Sequence, residues 1–220
     1  MPMQLIISES PAPLERRSEE GSTISSSTKT NPALHLNKDF VDNDKPASPL
    51  EYLRSVFPED HRRNPYFRQQ GASRSCFDEE DYNHEAARAI RSNDVAALRK
   101  LLDDGAEFDG RNRNGESLLN LACRRADVET VRFLVDEARV PIDCRDGLGR
   151  TALHDACWRP TPTFDLVDLF VSNADPKLLL AEDARGHTPF DYARRGDWSE
   201  WTAYLATKRE QIELRIALSS

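Results

Sequence analysis

No stretch of the 220 residues approaches the roughly 20 consecutive apolar positions that a membrane-crossing helix needs. The amino end offers only Leu5-Ile6-Ile7, with acids close behind, which is too short for the apolar part of a secretory signal. Cysteine is scarce, at Cys76, Cys123, Cys144 and Cys157, and no two fall at the Cys-x-x-Cys spacing typical of a zinc site. Without a signal segment, these thiols are expected to be reduced and the protein intracellular, in the cytoplasm or the nucleus. Positive charge is also short: 30 Lys and Arg against 38 Asp and Glu give a net charge of -8. That balance gives no reason to expect nucleic acid or an anionic membrane as partner. A Gly-rich phosphate loop, a Gly-x-Ser-x-Gly elbow and a His-Glu-x-x-His helix are all missing. The reading is therefore a non-enzyme with no cofactor, no metal and no small-molecule substrate.

What is present changes along the chain. Residues 1–47 are dominated by Ser, Thr, Pro, Asn and charge, and Phe40 is their one aromatic residue. Such a segment buries too little apolar surface to offset chain entropy, so it reads as a disordered tail, with a phosphorylated regulatory tail as the alternative. Ser48-Pro49-Leu50-Glu51 then carries the elements of a capping box with proline in the first turn. Leu50, Leu53 and Phe57 lie on one helical face, which predicts a short amphipathic helix over Pro49–Phe57, ended by Pro58. The basic and aromatic run Arg62 to Arg68 either packs on the domain that begins near residue 78 or serves as a linear motif, so 48–77 reads as helix plus linker.

From about residue 78 the sequence repeats. Gly115-Glu-Ser-Leu-Leu-Asn-Leu-Ala-Cys123, Gly149-Arg-Thr-Ala-Leu-His-Asp-Ala-Cys157 and Gly186-His-Thr-Pro-Phe-Asp-Tyr-Ala-Arg194 align column by column. Their glycines stand roughly 34 and then 37 residues apart. The set resembles the ankyrin repeat, whose signature is Thr-Pro-Leu-His followed by Ala. That resemblance implies an all-α solenoid of helix-turn-helix units with β-hairpin-like finger turns, in repeats of about 78–111, 112–145, 146–182 and 183–220. Asp78 to Asp81 place negative charge at the first helix start, and Gly105 stops the second helix. Pro160 to Thr163 lengthen the third repeat's inner turn into a loop. Trp198, Trp201 and Leu205 supply the last repeat's second helix, extending toward Leu218. Its two tryptophans are expected to cover the exposed end of the stack.

His154, Asp155 and Cys157 lie close together and invite a catalytic reading. The repeat columns argue against it: His154 occupies a structural position shared with Asn120 and Asp191, and Cys123 and Cys157 share a small-residue position. The resemblance implies instead a concave surface of turn tips and exposed first-helix residues that binds another protein. Carried over, it comprises Arg113, Asn114, Glu116, Arg124 and Arg125; Leu148, Arg150, Trp158 and Arg159; and Arg185, His187 and Arg195, with Arg91, Ser92 and Arg111 from the first repeat. Arginine and tryptophan there suit an acidic or aromatic-bearing protein segment. The competing reading is that these arginines are balanced by neighbouring acids. The function expected is an adaptor or scaffold; alternatives are a regulatory inhibitor of a signalling enzyme and, less favoured by charge, a nuclear or nucleic-acid-associated regulator.

Overall fold

The computed structural model describes residues 48–59 and 82–219. The amino-terminal tail, the Arg62–Arg68 run and the acids Asp78–Asp81 lie outside the described residues. The described chain forms nine α-helices: α1 (Pro49–Val56), α2 (His84–Ser92), α3 (Val95–Asp103), α4 (Leu118–Arg125), α5 (Val128–Arg132), α6 (Ala152–Cys157), α7 (Phe164–Asn173), α8 (Trp198–Thr207) and α9 (Arg209–Leu218). A π-helical turn, Phe133–Glu137, continues α5, and 3-10 turns occupy Pro176–Leu180, Pro189–Tyr192 and Arg195–Asp197.

Most of the helix starts have a chemical reason. Asn83, Asp94 and Asp127 cap α2, α3 and α5 by accepting the amide of Ala86, Ala97 and Thr130 at 2.8, 2.9 and 2.8 Å. The first repeat's helix therefore begins at Asn83, after the acidic run. Ser48 and Glu51 form the expected capping box of α1, with Ser48 N donating to Glu51 at 2.9 Å. Phe57 is the C-cap of α1.

Short helices this small are marginal alone and are held by packing. The inner row runs α2 on α4, α4 on α6, and α6 on the Pro189–Tyr192 turn. Behind it α3 backs α2, α5 backs α4, and α7 backs α6 and α5. Small buried residues, Ala86, Ala89, Ala122, Ala156 and Ala193, lie along the repeated helices and turns. Fingers project where the chain turns, marked by the bridges Arg111–Ser117 and Arg145–Thr151. Gly115, Gly149 and Gly186 sit at φ of 75°, 78° and 82°, a conformation ordinary residues resist.

The carboxy-terminal end departs from the sequence reading in three ways. The first helix of the last repeat shrinks to the 3-10 turn Pro189–Tyr192. Its second helix does not run through to Leu218, because a turn at Lys208 divides it into α8 and α9. Most importantly, the two tryptophans do not cover the end. Trp201 is 1% exposed, with edge-on contacts to Phe164, Phe190 and Tyr204, whereas Trp198 is half-buried under Arg195. Beyond them lies α1, which packs on α8, α9 and both the Pro176–Leu180 and Pro189–Tyr192 turns. Leu53 and Phe57, at 0% and 1% exposure, anchor it there. The earliest described helix thus forms the last layer of the stack.

Trp201→Ala should therefore cost about 3–5 kcal/mol in urea unfolding, as for a fully buried large aromatic, and Trp198→Ala less than half of that. Equal costs would mean that the two tryptophans share one covering role.

Candidate protein-binding face

The fingers are organised by a column that the sequence reading passed over. Asn112, Asp146 and Asp183 each stand three residues before the turn glycine and accept two amides through one side-chain oxygen. For Asp146 these come from Leu148 and Arg150, at 2.9 and 2.8 Å. Asn or Asp followed three residues later by Gly was the available signal, since these side chains favour such turns. Successive fingers are then tied together. Gly147 N donates to Asn114 O at 2.8 Å and Ala184 N to Leu148 O at 2.9 Å. A Cβ at Gly147 would lie 2.8 Å from Asn114 O, so only glycine permits this approach. Arg111 donates to Arg145 O at 2.8 Å, and Arg145 in turn to Glu182 O at 2.6 Å.

Three capping boxes in register fix the inner helices to these fingers: Ser117 with Asn120, Thr151 with His154, and Thr188 with Asp191. The Thr151 amide donates to His154 Nδ1 at 3.0 Å, so Nδ1 carries no proton and Nε2 donates to His187 O at 3.2 Å. His154 thus crosses to the next finger. Asn120 instead turns to Asp155, donating to Oδ2 at 2.9 Å. Burial lowers the His154 pKa to about 4. The same cause raises that of Asp155 to about 6, against hydrogen bonding from Asn120 and attraction from Arg124 and Arg150. Burial also pushes the Cys123 and Cys157 thiols up, which leaves them as small apolar packing groups.

The arginines divide into two sets. Arg124 lies 2.8 Å from Glu116 and 3.7 Å from Asp155. Arg150 binds Asp146 through Nε and Nη2 at 2.8 and 2.6 Å, and its Nη2 lies 3.8 Å from Glu116. Burial works against the Glu116 charge, but hydrogen bonds from Asn112 and Arg124 outweigh it and hold the carboxyl below its usual range. Arg159 donates to Cys123 O and Ala126 O at 3.1 and 2.8 Å, closing the end of α4. These side chains are engaged in holding the stack, and so is Glu116. Arg113, Arg125, Arg185 and Arg195 are exposed, as is His187. Arg195 lies over the Trp198 ring, 5.4 Å from its centroid. Leu148, at a finger tip, and Trp158, at the end of α6, are each 52% exposed. Arg91, Ser92 and Asn114 are also exposed.

Two consequences can be measured. His154 is harder to protonate folded than unfolded, so its contribution to stability is lost as pH falls from 6.5 toward 4. Asp155 has the opposite sign: its contribution is fullest near pH 4 and is lost as pH rises toward 6. Compared with the parent chain in urea unfolding, Asp155→Asn should gain about 3 kcal/mol between pH 4 and 6, and His154→Asn should lose about 3 kcal/mol between pH 4 and 6.5. Slopes of the same sign would contradict the assignment. Separately, Arg159→Ala should cost about 2 kcal/mol by removing a charged donor from two carbonyls, while Arg125→Ala should stay within about 0.5 kcal/mol.

Residues 84–179 match the family described as ankyrin repeats, in three copies. Diacylglycerol kinase zeta of Rattus norvegicus is 29% identical over 126 residues, covering 57% of this chain and 13% of that protein. Ankyrin repeat, SAM and basic leucine zipper domain-containing protein 1 is 32% identical over 120 residues in Mus musculus, covering 53% of this chain and 24% of that protein. Its counterpart in Dasypus novemcinctus is 31% identical over 130 residues, covering 57% and 26%. The chain spans about a quarter or less of the length of these relatives. No helix among the described residues is long and apolar enough to cross a membrane. With the inner helix row, the fingers and the repeated capping boxes in place, residues 84–179 are ankyrin repeats, and such repeats are a protein–protein interaction module.

Proposed function

We propose that the chain is a non-catalytic adaptor that docks an acidic protein segment on its inner face, between the finger tips and the inner helices. The observation that carries this reading is the pair Leu148 and Trp158. Both lie in the third repeat, and each is 52% exposed in a domain whose other large apolar side chains are mostly buried. The exposed Arg113, Arg125, Arg185 and Arg195 come from the flanking repeats. An aromatic and an aliphatic anchor among arginines is the composition favoured at the centre of protein interfaces. The charge of these arginines stands out against a chain whose net charge is -8, so the contrast is local.

The docking set is narrower than the fifteen positions suggested by sequence. Glu116, Arg124, Arg150 and Arg159 shape the face by holding the fingers and helix ends, and a partner meets chiefly the other side chains. The test is affinity capture from native extract with the full chain beside Leu148→Ser/Trp158→Ala and Arg113→Glu/Arg125→Glu. Both double variants should keep the parent stability within about 1 kcal/mol and lose the captured protein. Retention of the same partner by both variants would remove the inner face from the mechanism. Raising salt should weaken capture of an acidic segment progressively, since exposed charges are screened beyond about a Debye length.

A further inference from the structure

The third repeat carries a loop that the stack does not require. The first two repeats turn between their helices in two residues, Asn93-Asp94 and Ala126-Asp127, whereas six residues, Trp158 to Thr163, separate α6 from α7. Within this loop stands Thr161, flanked by Pro160 and Pro162. Pro162 disfavours helical backbone at the residue before it, and neither proline has an amide that could close a further helical turn. Pro160 and Thr161 are exposed, while Pro162 and Thr163 are half-buried.

Three hydroxyl side chains among the described residues precede a proline: Ser48, Thr161 and Thr188. The fold uses two of them. Ser48 Oγ accepts the Glu51 amide at 3.2 Å to start α1. Thr188 is 2% exposed, and its hydroxyl donates to Asp191 Oδ2 at 2.9 Å. The Thr161 hydroxyl has no hydrogen-bond partner among the described residues, whereas its carbonyl accepts from Thr163 Oγ1 at 3.4 Å. That bond turns the Thr163 hydroxyl away from the start of α7, which has no side-chain cap. A group added to the Thr161 hydroxyl therefore breaks no hydrogen bond of the fold, and a negative one stands just ahead of the positive end of a ten-residue helix.

We propose that Thr161 is a phosphorylation site for a protein kinase that requires proline after its acceptor, and that the phosphate weakens docking on the inner face. In the transfer, Thr161 Oγ1 bonds to the γ-phosphorus of magnesium-bound ATP held by the kinase. The bond from that phosphorus to the β–γ bridging oxygen breaks, ADP leaves, and the hydroxyl proton passes to the kinase's carboxylate base. The product carries about -1.5 to -2 charges at neutral pH. Backbone reach keeps the Cα of Thr161 within about 11 Å of that of Trp158. Arg159 ties this end of α6 to the end of α4 through Cys123 O and Ala126 O, which brings the exposed Arg125 to the same edge. The phosphate offsets the positive charge at that edge and repels the acidic segment assigned to the inner face. This second half rests on the adaptor reading; the modification site does not.

The full chain is incubated with a purified proline-directed kinase and magnesium ATP, and phosphate is mapped by peptide mass spectrometry. Thr161 should be modified, and Ser48 and Thr188 should not. Thr161→Ala should lose this site, and so should Pro162→Ala, which keeps the hydroxyl. A folded chain left unmodified at Thr161, or modified equally at the buried Thr188, would overturn the site. The chain isolated from its own cells with phosphatases blocked should carry the same mark, and its absence there would equally overturn it. Capture from native extract is then repeated with the modified chain. The partner held by the unmodified chain should be held about three- to tenfold more weakly, and Thr161→Ala treated with the same kinase should hold it as before. Equal or stronger capture by the modified chain would overturn the regulatory half. If the unmodified chain captures no partner, the adaptor reading fails and the regulatory half with it, while the mapping still decides the site.

Discussion

A two-helix unit of this size cannot bury its own apolar face, and the rest of the structure is a response to that constraint. Each inner helix is sealed by the next, and each finger is tied to the next. The ties are chemically varied: backbone pairs through Gly147 and Ala184, the arginines Arg111 and Arg145 reaching across to successive carbonyls, and His154 reaching His187 O. Stability in such a stack is a sum of neighbour terms, so its ends are where it is weakest. The carboxy-terminal end is completed by a segment from outside the repeats.

The capping column shows how the sequence can drift while the physics is kept. Asn120, His154 and Asp191 differ in charge, size and proton inventory, yet each returns a hydrogen bond to the residue that starts its helix. The requirement is for an acceptor at the third helical position, which all three supply. What differs is the second bond. Histidine spans to the next finger, whereas asparagine turns to Asp155 on the neighbouring inner helix. The price of that second arrangement is a buried carboxyl whose Oδ1 has no hydrogen-bond donor among the described residues. Arg124 at 3.7 Å offsets this in part, and the proton affinity of Asp155 rises accordingly.

Much of this was legible in the sequence because the signals are local. Turn glycines, the Ser/Thr starts, the alanine column and the Ser48–Glu51 box each report on the few residues around them, and helices with caps appear where these patterns stand. The Pro160–Thr163 loop was equally plain, since proline removes a helix donor wherever it sits. The failures concern distance. The pattern of Leu50, Leu53 and Phe57 announces an apolar face, but nothing in it names the face that it meets. Trp201 and Trp198 stand three residues apart on one helix, and it is the packing of Phe164, Phe190 and Tyr204 around the first that makes it core. The shortening of the last inner helix to a 3-10 turn likewise belongs to the layer on which α1 packs.

The arginines make the same point about function. As letters in a repeat, Arg125 and Arg159 look equivalent, each standing at the end of an inner helix. One is exposed, and the other closes the end of the preceding helix through two carbonyls. Arg113 and Arg150 stand on successive fingers, but the second is clamped by Asp146 through a paired contact. A residue already satisfied within the fold must break those bonds before it can serve a partner, and the remaining carboxylate would then lie unpaired in a buried turn. In the proposed docking, recognition therefore falls to side chains not clamped in this way, Leu148, Trp158 and the exposed arginines around them.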